Sequence, residues 1–198
     1  MFLIAGLEKK LKRAMENLSS LSVPENITFE QALEITQTLL NKIEEKGLFE
    51  AETETVIAQL INTNNGARGF FVIYLTDPRT FCNQPTNGVI KALSKSPEMV
   101  SELLIKNAAM STAMAVYHRR QNNTEMENSS QRVSQRSVNL IQQLHLPILR
   151  SLIQQLLDNI QTGEGTYQEF LERWGYDSEQ KTAIIDVLNP LLSTLNSL

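Results

Sequence analysis

Arginine, asparagine and glycine meet in Asn64-Asn65-Gly66-Ala67-Arg68-Gly69, the stretch of this chain best suited to contact a small anion. Glycines let backbone N–H groups come close to an oxyanion, and a helix N-terminus would add positive potential. Arg68 could then close on phosphate or carboxylate with two parallel hydrogen bonds. The competing account is an Asn-Gly turn with a solvated arginine, which is ordinary turn chemistry. A second concentration of reactive side chains follows in the loop from Thr76 to Gly88, which carries Asp77, Arg79, Phe81 and Cys82. Long ordered loops in compact domains are enriched in function. A thiol beside Arg79 could have a lowered pKa and react. Unpaired cysteine is more often buried as a small hydrophobe, and no histidine lies nearby in sequence to activate this one. With Tyr74 between the two stretches, the candidate ligand-binding set is Asn64, Asn65, Arg68, Tyr74, Asp77, Arg79 and Cys82.

Elsewhere the charged residues have simpler explanations. His118, Arg119 and Arg120 end a helical segment, where cations offset the helix dipole by a few tenths of a kcal/mol up to about 1 kcal/mol. Arg132 and Arg136 stand one turn apart on the next segment and could join them against an anionic partner if the two helices fold back. His145 has no carboxylate near it in sequence to tune it, and reads as a partly buried structural histidine. The chain contains no phosphate-binding Gly-x-x-x-x-Gly-Lys-Ser/Thr run, no dinucleotide fingerprint, no His-Glu-x-x-His and no Gly-x-Ser-x-Gly. With one cysteine and two histidines there is no internal disulfide, and the expectation is no metal and no cofactor.

Composition excludes further classes. A net charge of −4 disfavours nucleic acid, whose binders usually carry a basic excess. No run approaches the roughly 20 apolar residues of a membrane-spanning helix. The short apolar run Met1–Gly6 precedes its lysines, the reverse of a secretory leader, so a cytoplasmic protein is expected. Peripheral membrane contact through the first helix is not expected, because Glu8 and Glu16 dilute its lysine-rich flank.

The elements that must position these residues are helical throughout. Thr28 with Gln31, Thr124 with Glu127 and Thr166 with Glu169 fit the capping box, and Asp177 with Gln180 is a looser version. Leu3, Leu7, Leu11, Met15 and Leu18 recur with helical period, and Pro24 ends that segment. A second helix after Thr28 and a third from about Phe49 to Ile61 follow. Asn62–Gly69 reads as a hinge. Propensity favours a strand for Phe70–Thr76, yet no other run offers it a partner, and a lone strand leaves its backbone groups unpaired. A short, largely buried helix is preferred there. Ser96-Pro97 starts a long central helix to about Arg120, with Met99, Leu103, Met110, Met114 and Tyr117 as its stripe. Pro147 kinks or breaks the next apolar run, and Pro190 bends the last.

The expected fold is all-α, a single-domain irregular bundle of roughly seven to nine helices over residues 1–198. Its alternative subdivision is a three-helix part, 1–62, and a bundle, 63–198. The expected function is non-enzymatic, a protein–protein interaction or scaffold role, with another protein or a second copy as partner. The alternative is a module for a small anionic or hydrophobic ligand, walled by the 64–88 region. An enzyme ranks third, with Arg68, Tyr74, Asp77 and Cys82 as its reactive cluster.

Overall fold

Thr28 opens the first described helix as its spacing demands. Its hydroxyl accepts from the Gln31 amide at 3.2 Å, while the Gln31 side chain accepts from the Thr28 amide at 2.9 Å. The computed structural model describes residues 21–195, so the stripe expected from Leu3 to Leu18 lies outside the described residues. Those residues form nine α-helices and no strand, the all-α class expected. The chain divides into two compact units between Ser96 and Pro97.

The first unit contains α1 (Phe29–Glu44), α2 (Glu50–Leu60), α3 (Asn64–Thr76), a 3-10 turn (Thr80–Asn83) and α4 (Asn87–Leu93). Helix α1 packs mainly on α3, and α2 on α4. Phe70, Phe71, Tyr74 and Leu75 are buried and Val72 is exposed, so the aromatic run is helical as preferred. Burial on the tertiary core overrides its β propensity. The hinge expected over Asn62–Gly69 is corrected: Thr63 accepts from the Gly66 amide at 3.1 Å, and the helix begins at Asn64. Gly66 and Gly69 are there for proximity rather than turning. A Cβ at Gly69 would lie 2.5 Å from that of Ala32 on α1. One at Gly66 would penetrate the Leu60 carbonyl.

The second unit contains α5 (Pro97–Arg120), α6 (Thr124–Leu144), α7 (Pro147–Thr162), α8 (Gln168–Trp174) and α9 (Ser178–Thr194). Helices α5 and α6 form its main pair, with α9 against α5 and α7. The central helix does not bury the methionine stripe. It buries Val100, Leu104 and Ile105 on its first turns and Ala108, Ala109 and Ala113 further on, where small side chains let neighbouring helices approach closely. Met99, Leu103, Met110 and Met114 are half-buried, and Tyr117 is exposed.

Two of the expected caps move. Asn123, not Thr124, caps α6, its Oδ1 accepting from the Met126 amide at 3.1 Å. At α8 the N-cap is Tyr167, whose amide donates to Asn159 Oδ1 at 2.9 Å, and Thr166 has no capping role. Asp177 and Gln180 form a full capping box at α9. Pro147 breaks the chain rather than kinking it. His145 takes a left-handed conformation (φ 49°), and Pro147 becomes the first residue of α7, where its missing N–H costs nothing. His145 is exposed at this corner, not partly buried. Pro190 lies inside α9.

Candidate functional site

The seven residues singled out by sequence all lie in the first unit, but α3 separates them. Asn64, Asn65 and Arg68 are exposed on its first two turns. Asp77 follows its last turn, about 20 Å along the axis from Asn64 at 1.5 Å per residue. Asn65 donates to the Ile27 carbonyl at 3.4 Å, and Arg68 lies over the Phe29 ring at 5.5 Å. Tyr74 is buried and stacked on Phe70 at 5.2 Å. Cys82 is 1% exposed, the environment of a small hydrophobe rather than a nucleophile.

Asp77 and Arg79 do meet, in a clasp. Arg79 donates from Nε to Asp77 Oδ1 at 2.8 Å and from Nη2 to Oδ2 at 2.7 Å. Its backbone amide also donates to Oδ1, at 2.9 Å. The remaining fork, Nη1, reaches Asn41 and Glu44 on α1, each at 2.9 Å. Hydrogen bonding to Asp77 raises the guanidinium pKa above its ordinary value. Both charges are largely consumed in tying the 77–86 loop to the end of α1.

In the second unit the basic end of α5 is spent on α9. Arg119 pairs with Glu179 at 2.8 Å. Arg120 holds Asp177 Oδ2 at 2.5 Å and also pairs with Glu179. The arginines therefore grip the first turn of another helix instead of only compensating their own dipole. Arg136 is buried within α6 and does not join them on a common surface. Hydrogen bonding from Arg120, helped by the Gln180 amide, holds the Asp177 carboxyl down at about 2. A depressed pKa stabilises the fold fully above the usual carboxylate range of about 4, and that contribution fades as pH falls toward the folded value. Arg120→Gln is expected to return the Asp177 titration toward about 4 in a carboxyl-detected NMR titration. An unmoved midpoint would deny the pair its role.

A polar cluster that sequence reading missed joins residues 65 apart. Tyr167 donates to Glu102 Oε2 at 2.6 Å, and Lys106 pairs with Oε1 of the same carboxylate at 2.6 Å. Lys106 also lies over the Tyr167 and Phe170 rings, at 5.7 and 5.8 Å. Burial first, then the Glu102 bond, pushes the Tyr167 phenol above its ordinary pKa. The cluster anchors the start of α8 to α5. The four-residue spacing of Glu102 and Lys106 is the only mark this cluster leaves in the sequence.

Two surfaces of α5 remain for a function. At 100° per residue, Met99, Leu103, Met110, Met114 and Tyr117 fall within an arc of about 60°. On the opposite arc, Thr112, Ala115, Val116 and Arg119 line a cleft of about 310 Å³ shared with α6 and α9. Among the described residues no group of three histidine, cysteine, aspartate or glutamate side chains could hold a metal ion. No described helix is long and apolar enough to cross a membrane.

The nine α-helices of the described residues, in two compact units without a strand, define an all-helical protein. A family profile described as "Uncharacterised conserved protein UCP020893" matches residues 28–191, and the chain belongs to that family. No curated protein and no solved structure matches it.

Proposed function

We propose that this chain is a non-enzymatic cytoplasmic module that binds another protein, or a second copy of itself, through the methionine-lined arc of α5. The observation that carries this reading is Tyr117, which is 47% exposed at the end of a stripe containing Met110 and Met114. Tyrosine and methionine are enriched where proteins meet, and methionine adapts its shape to a partner at little cost. Met126, also exposed, stands just beyond the turn that joins α5 to α6. The alternative, an anionic ligand walled by residues 64–69 and 76–88, has to span the length of α3.

Light scattering across a concentration series tests the self-association version. The expected result is a mass rising from 22.4 kDa toward twice that value. Tyr117→Ser is expected to shift the midpoint at least about tenfold, the scale of one interface hot spot. A wild-type chain that stays monomeric throughout, with Tyr117→Ser indistinguishable from it, removes the second copy as the partner.

A further inference from the structure

The cleft between α5, α6 and α9 has a hydroxyl pair in its lining with one proton more than the pair can use. Thr112 Oγ1 and Ser134 Oγ lie 2.7 Å apart, and each residue is 8% exposed. Each hydroxyl brings one hydrogen, and only one can sit between the two oxygens. Neighbouring hydroxyls on the same two helices donate back to their own helix, Ser111 to the Asn107 carbonyl at 2.5 Å and Ser137 to that of Val133 at 2.8 Å. Thr112 and Ser134 make no such bond among the described residues, so the second hydrogen is available to an acceptor group entering the cleft.

The rest of the lining says what that group could belong to. Gln135 and Arg119 bring N–H donors to the same lining, as does Gln131, whose Nε2 also donates to Glu127 at 3.2 Å. Arg119 pairs with Glu179 through Nη2, leaving further N–H groups for a ligand. Asp186 contributes a carboxylate from α9, exposed and without an ion pair among the described residues. The lining also includes Ala115, Ala183 and Val187, small and apolar. Donors on α5 and α6, a carboxylate on α9 and small apolar side chains in one cleft match a compact molecule with an anionic and a cationic end.

We infer that this cleft binds a small zwitterion of the α-amino-acid class. Its carboxylate accepts from the Thr112–Ser134 pair, the glutamine amides and Arg119. Its ammonium group faces Asp186, and a short apolar side chain lies on Ala183 and Val187. This site is independent of the protein-binding arc, which occupies the other side of α5.

The test is an amide-detected NMR titration of the full chain with L-valine, alongside acetate and methylammonium as half-ligands. L-valine is expected to shift the Thr112, Ser134 and Val187 resonances saturably, with each half-ligand at least about tenfold weaker. Asp186→Asn and Ser134→Ala are each expected to weaken L-valine at least about fivefold while the melting temperature stays within about 2 °C. Asp186 is exposed, so its variant keeps the test valid even if Ser134→Ala perturbs the helix pair. Absence of a saturable shift, half-ligands that match L-valine, or an Asp186→Asn variant that binds like wild type would overturn the assignment.

Discussion

Gly66→Ala is expected to destabilise the first unit by about 3 kcal/mol and lower its melting temperature by roughly ten degrees or more. Alanine for glycine within a helix ordinarily gains about 0.5–1 kcal/mol, so propensity alone predicts the opposite sign. Space decides the matter. Gly66 has no positive φ, and alanine's backbone would be content there. The added Cβ, however, meets the Leu60 carbonyl oxygen, which belongs to the last turn of α2 and cannot swing aside as a side chain could. Relief requires α3 to move away from α2, and Ala67, Phe70 and Phe71, all buried, would move with it. Thermal unfolding followed by circular dichroism checks this. A variant as stable as wild type would show that the close approach of α3 to Leu60 does not hold the unit together.

The second large effect is expected at Arg79. Its side chain is 17% exposed and that of Asp77 only 4%, so the pair lies mostly out of water. Truncation to alanine strips the buried carboxylate of its bidentate partner and removes the ties to Asn41 and Glu44. Breaking one side of a buried pair costs about 3–5 kcal/mol. Asp77 keeps hydrogen bonds through the backbone, so about 2–3 kcal/mol is expected for Arg79→Ala in urea unfolding. Arg79→Lys keeps the charge but loses the planar fork, and is expected to fall between the two. An alanine variant within about 0.5 kcal/mol of wild type would return Asp77 and Arg79 to the list of residues free for a ligand.

These two sites also show where sequence reading stops. Thr28–Gln31 and Asp177–Gln180 were legible because a capping box is wholly local: donor and acceptor lie three residues apart. Thr124–Glu127 has the same spacing, but Asn123 stands one residue earlier and its carboxamide oxygen reaches the Met126 amide first. The aromatic run at Phe70–Leu75 was legible by elimination, since no partner strand existed. Gly66 and Gly69 just before it read as turn formers, because a close helix approach leaves the same residue type as a tight turn. The methionine stripe of α5 is legible as a helical periodicity, whereas which face is buried depends on the neighbouring helices, and they take the face of Leu104, Ile105, Ala108 and Ala109. Pairs such as Arg120 with Asp177, 57 residues apart, and Tyr167 with Glu102 depend on helix packing and leave no local signature. The Thr112–Ser134 contact, across 22 residues, was hidden for the same reason.

The protein-binding proposal is tested most directly by a photo-reactive amino acid placed at position 117 of the full chain in its native cell. Asp158, exposed on α7, serves as the control position. The account predicts a discrete protein adduct from position 117, of a second copy or of one other protein, that is absent from position 158. Irradiation that gives no adduct at 117 beyond the control would contradict it.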